Sequence, residues 1–226
     1  MHPHVNWRSI RRQDKGFEFL QSAGLHVAAV QNPLTSLKDD VEATKRALAM
    51  QDGPTVLVGH SYGGTVISEV GVDSKVTGLV YVAALAPEPG EDVGKLAEKF
   101  PASPAGPLIR ATDGFAQFDE KDFIENFAPD VPPTQARVLA ASQGPIEQTL
   151  FSQKTTVAAW KGKPSWYAVS TKDRVIDPDL QRFFAKRMNA YTVEVNGSHA
   201  SPVSQPSAIA ELIELAARNS TERPLG

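Results

Sequence analysis

The sequence predicts an α/β fold: a mostly parallel sheet with helices on both faces, and a helical cap inserted after the third recognisable strand. Three observations carry this. Short, continuous apolar runs, of which VTGLVYVAAL (76–85) is the purest, alternate with helical stretches. Strands apolar on both sides belong in a parallel sheet covered on both faces. Between Pro87 and Pro164 prolines are frequent and strand signals vanish, which marks an insertion. Finally, one buried strand runs straight into a glycine-flanked serine, VLVGHSYGG (56–64).

The elements can be justified in order. HVAAVQN (26–32) reads as a short buried strand rich in Val and Ala. In NPLTSLKDDVEATKRALAMQDG, the residues Leu37, Val41 and Leu48 share one helical face with Thr44 between them. Ser36 with Asp39 resembles a capping box, and Gly53 suits the stop. PTVLVGH (54–60) is the second strand, TVISEVG a helix entered through glycines, and VTGLVYVAAL the third strand. SWYAVS (165–170) and YTVEVN (191–196) are the fourth and fifth, with helices at about 178–189 and about 205–218. In the proline-rich block, DEKDFIENFA (119–128) and PTQARVLAAS (133–142) are helix-like. So long a structureless loop is uncommon in a compact domain, so residues 87–164 are expected to form a helical cap within one domain spanning 1–226.

Size and charge narrow the function. A chain of 226 residues suits one α/β domain with an insertion better than two full domains. A net charge of −3 advertises neither nucleic acid nor an acidic membrane surface. The densest basic cluster, Arg8, Arg11 and Arg12, is short and reads as a tail or a helix face. With no cysteine, disulfides, thiolate catalysis and cysteine-ligated zinc are excluded. MHPHVNWRSIRRQDKG is polar and charged, without a secretory or membrane-spanning segment, so a cytoplasmic protein is expected.

The serine is the chemical centre of the sequence. G-x-S-x-G after a buried strand and before a helix has the context of a nucleophile elbow. The turn is sharp and strained, and small residues two before and two after the serine, Gly59 and Gly63, avoid collisions with strand and helix. Gly64 extends the small surface, and the flanking His60 is expected to be structural, directed away from the serine. The next backbone N–H, that of Tyr62, opens a helix and suits an oxyanion. A serine hydroxyl needs a base, and the base an orienting acid. Of five histidines, His2 and His4 lie in a polar stretch, His26 starts a strand and His60 adjoins the serine. His199, in VEVNGSHASP just past the last strand, is the candidate base. Asp173, three residues past SWYAVS, is the candidate acid; Asp177 precedes Pro178 and suits a helix cap better. Ser61, Asp173, His199 is the chain order expected on an α/β-hydrolase sheet.

These motifs identify the chain, from about Gly24 to about Ala217, as resembling the α/β-hydrolase fold superfamily. GHSYGG resembles the nucleophile motif of its small esterases, STKDRVIDP the acid loop and GSHASPVSQP the histidine loop. NPLTSLKDDVEATKRAL and PSWYAVSTKDRVIDPDLQRFFAKRM resemble segments of bacterial carboxylesterase-like members, and more distantly the set is similar to plant methylesterases and hydroxynitrile lyases. Such proteins usually begin with a strand running into an HG loop that supplies half of the oxyanion hole. No such segment precedes HVAAVQN. Trp7, Ile10, Phe17 and Leu20 look like the helix that should follow that loop, and HVN (4–6) is too short to count as a strand. The chain is therefore expected to lack its leading strands. That would bare backbone groups on PTVLVGH, each costing roughly 1–3 kcal/mol if buried unpaired. HVAAVQN could move over to cover them, a homo-oligomer could fill the gap with a segment of a second copy, or the N-terminus could be ordered in another way.

The resemblance implies hydrolysis of a small to medium, uncharged or aromatic carboxylic ester through an acyl-serine, with no metal or organic cofactor. The cap over Ser61 contributes Phe115, Phe118, Phe123, Phe127, Leu139, Phe151 and Trp160, most of them read as cap core rather than ligand contacts, and a largely apolar pocket would still follow. Two alternatives stay open: a catalytically impaired ligand-binding protein, motivated by the missing strands, and hydroxynitrile-lyase-like chemistry, which needs a positive pocket residue, for which Lys161 or Lys163 can be nominated although both read as solvated surface residues.

Overall fold

The computed structural model describes residues 4–7, 15–106 and 109–221. Along the chain the first elements are β1 (His4–Trp7), α1 (Lys15–Ser22), β2 (His26–Ala29), α2 (Leu37–Ala49), β3 (Thr55–His60), α3 (Gly63–Val70) and β4 (Val76–Val82). An intervening segment carries α4 (Val93–Ala97), β5 (Ile109–Thr112), β6 (Phe115–Phe118), α5 (Glu120–Asp122), α6 (Pro133–Ser142) and β7 (Ile146–Glu147). The chain closes with β8 (Ser165–Ser170), α7 (Pro178–Arg187), β9 (Tyr191–Val195), α8 (Ser201–Ser204) and α9 (Pro206–Thr221). The main sheet is parallel throughout, in the order β2-β1-β3-β4-β8-β9.

Period-two alternation divides the strand side chains between two cores. Leu57, Leu79, Tyr81, Tyr167 and Val169 pack with the faces of α2, α3 and α7 that carry Leu48, Ile67 and Phe184. Val56, Val58, Val80, Val82 and Ala168 pack on the other side, against Leu20 of α1 and Ile209 and Ile213 of α9. The cap of α2 forms as expected: Ser36 Oγ accepts from the Asp39 amide at 3.0 Å and donates to Asp39 Oδ2 at 2.7 Å. That bond, with a second from Thr35, holds the Asp39 carboxyl below its usual range. No helix among the described residues is long and apolar enough to cross a membrane.

The expected loss of the leading strands is corrected. β1 lies in the middle of the sheet, pairing Val5 with Val27 of β2 on one side and with Val56 of β3 on the other. The backbone groups of β3 are thus covered from within the chain, and the case for an oligomer that fills a gap loses its basis. His4 and Trp7 belong to this strand rather than to a tail or a helix. Phe17 and Leu20 lie on α1, while Ile10 and the Arg8, Arg11 and Arg12 cluster fall outside the described residues. HVNW escapes a pattern reading because four residues offer no period. What holds it is backbone pairing to both neighbours, which leaves no trace in side-chain type. β2, read as buried, is an edge strand and half exposed.

The intervening segment is also not purely helical. β5, β6 and β7 form a three-stranded antiparallel sheet. The β5–β6 hairpin turns through Asp113 and Gly114, with φ of 51° and 82°, the pair of positive values that a two-residue hairpin turn demands. Phe118, Phe123, Val131 and Leu139 form a third core under it, which also includes Ala200 of the chain's last loop.

Candidate active site

Ser61 sits where β3 turns into α3, with φ of 56°. A non-glycine residue in this left-handed region is strained and persists only where its surroundings over-determine it. They do so here: the Ser61 amide donates to the Val82 carbonyl at 3.2 Å, and the Ser61 carbonyl accepts from the amides of Gly64 and Leu85, both at 3.1 Å. The glycines are needed for close approach. A Cβ on Gly59 would stand 2.6 Å from the Gly63 carbonyl oxygen, and one on Gly64 only 2.1 Å from that of Leu85. Tyr62 is the residue from which α3 starts.

The stretch after β4 is tied from β8. Tyr167 donates its phenol to the Ala84 carbonyl and accepts from the Ala84 amide at 3.0 Å. Burial pushes this phenol well above its usual range, so it stays a neutral donor. The tie flanks Ala83, itself at φ 44°, and Leu85, which holds the serine turn.

His199 and Asp173 come together. His199 Nδ1 donates to Asp173 Oδ2 at 2.7 Å, and neither side chain has any exposed surface. The aspartate is fully furnished with donors. Its Oδ1 accepts from the amides of Val175 at 2.7 Å and Ile176 at 3.0 Å, and its Oδ2 also accepts from Gln181 Nε2 at 2.8 Å. Gln181 is buried on α7; its Oε1 accepts from the Ser170 amide at 2.9 Å, which locks the carboxamide in one orientation. Asp177 caps α7 as expected, accepting from the Asp179 amide at 2.8 Å. The far nitrogen of the imidazole, Nε2, is buried and has no hydrogen-bond partner among the described residues.

Sequence reasoning missed the residues that hold the histidine. His60 Nε2 donates to the His199 carbonyl at 2.8 Å, so the structural role expected for His60 acts on His199 itself. Asp130, from the segment between β4 and β8, accepts from the Ser198 amide at 2.8 Å, from Ser198 Oγ, and from Ser204 Oγ at 2.8 Å. The Phe127 carbonyl accepts from the Ala200 amide at 3.0 Å, and its ring meets the imidazole edge-on with centroids 4.7 Å apart. Pairings across so many positions carry no sequence period. Asp130→Ala is expected to lower kcat roughly ten- to a hundredfold, because small misplacements of a reacting group are that costly. KM should stay nearly constant, which steady-state kinetics on one ester would check.

Ser61, Tyr62, His60 and His199 border one cavity of about 1160 Å³, above the usual range for small-molecule sites. Of the cap residues singled out, mostly as core, Phe118, Phe123, Phe127, Leu139 and Phe151 line it, while Phe118, Phe123 and Leu139 also belong to the third core. Phe115 is instead exposed at the surface, and Trp160 belongs to the main core, donating its indole N–H to the Pro87 carbonyl at 3.2 Å. No lysine or arginine is among the described lining residues. Lys161 pairs with Glu88 at 2.5 Å, and Lys163 Nζ donates to the carbonyl of Val76 at 2.7 Å, so neither supplies the positive pocket charge sought for lyase chemistry.

Comparison with known proteins gives the family and the fold. Residues 14–212 match the model of a family described as the alpha/beta hydrolase family. The alpha/beta hydrolase nvfD of Aspergillus novofumigatus is 28% identical over 206 residues, which cover 84% of this chain and 82% of the relative. Among solved structures, a pyrethroid hydrolase from Sphingobium faniae superposes with a TM-score of 0.76 at 22% identity, over 99% of both chains. Polyneuridine aldehyde esterase superposes with a TM-score of 0.76 at 17% identity, over 95% of this chain and 99% of that one. At such identities the two structures speak for the fold alone.

Proposed function

Since the chain belongs to the alpha/beta hydrolase family, we propose that it is a serine hydrolase that cleaves an uncharged carboxylic ester through an acyl-serine intermediate. The observation that carries the reading is the meeting, at one apolar cavity, of a serine on a strained turn with a buried histidine–aspartate pair. In the first step Ser61 Oγ attacks the ester carbonyl while His199 Nε2 takes its proton. The carbonyl π pair moves onto oxygen, and the Tyr62 N–H stabilises that charge. The C–O bond to the alcohol then breaks as His199 returns the proton to the leaving oxygen. Water, deprotonated by His199, attacks the acyl carbon; as the bond from that carbon to Ser61 Oγ breaks, His199 returns the proton to Oγ, and the acid is released. Throughout, Asp173 holds the imidazole by Nδ1–H and stabilises its cationic form.

The cavity favours a bulkier substrate than the small to medium ester expected from sequence. Its lining carries phenylalanines and aliphatic residues, with Glu98 and Asp177 as its carboxylates and no described cation to attract an anionic acid. An apolar, neutral ester with two sizeable arms fits such a wall. The reading as a silent binding scaffold rested on an absent central strand, and β1 occupies that place.

A fluorophosphonate probe followed by peptide mass spectrometry tests the assignment. The expected adduct sits on Ser61 and disappears in His199→Ala. A folded protein that takes up no probe would overturn the reading.

A further inference from the structure

The loop after β2 is built under strain. Leu34 has a φ of 61°, a conformation that costs a non-glycine residue on the order of 1–3 kcal/mol. Distant parts of the chain hold it there. The Leu34 amide donates to Oδ1 of the buried Asp40 at 2.9 Å, and the Leu34 carbonyl accepts from the Glu147 amide at 2.9 Å. Just beyond, the Leu37 amide donates to Gln153 Oε1 at 2.7 Å. Strain maintained by this many ties is a mark of loops that place a functional group.

The group so placed is Asn32. Its side chain borders the large cavity with Ser61, Tyr62 and His199, and it also borders a small crevice against Gly63 and Val66. Asn32 therefore stands beside the first turn of α3, where the serine turn opens. Its amide oxygen is buried and has no hydrogen-bond partner among the described residues. Buried polar atoms without partners are rare, and each calls for a water or a ligand. A carboxamide offers a donor and an acceptor that exchange places on rotation about the last bond, and coordinates seldom distinguish them.

The chemistry at Ser61 leaves a need that this side chain meets. An oxyanion is best held by two donors, and Tyr62 N–H is one. The stretch after β1 reads RSIRRQD, without the His-Gly pair that marks a backbone donor there. We propose that the Asn32 Nδ2–H is the second donor to the oxyanion. This rests on the ester-hydrolase reading of Ser61. As the serine oxygen bonds to the carbonyl carbon, the π pair localises on the carbonyl oxygen, and the Asn32 and Tyr62 N–H groups donate to it. Neither donor gives up its proton, and both bonds weaken when the carbonyl reforms and the alcohol leaves.

Asn32→Ala and the isosteric Asn32→Asp are to be assayed with a p-nitrophenyl ester and with a fluorophosphonate. Both variants are expected to lose about 100- to 1000-fold in kcat/KM, carried by kcat. Labelling of Ser61 should slow in parallel. Asn32→Asp keeps the shape of the side chain and so controls for folding, with a thermal midpoint close to that of the parent. Wild-type labelling speed in Asn32→Asp would overturn the proposal while leaving the ester-hydrolase reading intact. A loss confined to KM would also overturn it, by making Asn32 a ground-state substrate contact. Failure of the parent protein itself to label would remove the ester-hydrolase reading, and this proposal with it.

Discussion

Ser61→Ala and His199→Ala are each expected to lower kcat about 10⁶-fold, and Asp173→Asn about 10⁴-fold, with the fold retained in all three. The first two remove the attacking atom or its base, and members of such a unit fail together rather than additively. The aspartate case is decided by local geometry. Oδ1 of Asp173 accepts from two backbone amides, Val175 and Ile176. An asparagine there has one acceptor oxygen, and those amides would claim it. Its NH₂ would then face His199 Nδ1 and Gln181 Nε2, both of which now donate to Oδ2. The imidazole would have to move its proton to Nε2, the atom required to receive the serine proton, and the base would be blocked. Asp39→Asn is the control, since Asp39 lies at the exposed start of α2 and lines no part of the cavity; as a surface change its kcat should stay within about threefold of the parent. Turnover of a p-nitrophenyl ester with parallel thermal melts would check the ladder. Near-parent kcat in Asp173→Asn would remove Asp173 from the catalytic unit.

Gly64→Ala is expected to give a large stability loss, its added methyl meeting the closest contact of the glycines described. The new carbon would lie 2.1 Å from the Leu85 carbonyl oxygen and 2.9 Å from Ala84 Cβ. Neither neighbour is the tip of a flexible chain. The Leu85 backbone is fixed by its amide bond to the Ser61 carbonyl, and Ala84 by Tyr167. Relief requires α3 to back away from the stretch after β4, which breaks the serine turn and opens the core that α3 shares with α2 and α7. Losses above about 4 kcal/mol belong to such cases of overpacking and strain. At this chain length that is a fall in melting temperature of roughly 10 °C or more, with activity lost along with the fold. Calorimetry on the variant would check it, and an unchanged midpoint would show that the turn is far softer than its ties imply.

Much of this architecture was legible in the residues, and what was not has physical reasons. Three apolar runs became the buried strands β3, β4 and β8 because burial on both faces demands unbroken apolar side chains, while HVAAVQN and YTVEVN became the more exposed edge strands β2 and β9, and PTQARVLAAS became α6 with the same limits, 133–142. The strained turn at Ser61 and the pairing of Asp173 with His199 could be read because elbow and loop positions constrain residue type. β1 was hidden because a four-residue strand between two neighbours is specified by main-chain pairing. The β5–β6 hairpin, in contrast, carried a signal that prolines nearby obscured: Asp113-Gly114 is a two-residue hairpin turn in plain sight. The supports of the site, Gln181, Asp130 and Asn32, were beyond reach, because a polar side chain's partner many positions away follows from the finished fold and from no local pattern.

The grip of Asp130 and Phe127 on the loop bearing His199 limits how this chain's architecture can be shuffled. A chimaera that imports the region between β4 and β8 from a relative would exchange the walls of the substrate chamber, and with them the struts of its proton acceptor. Selectivity and speed are thus welded together in this chain, and grafts should work only when the Asp130–Ser198 partnership travels as a set.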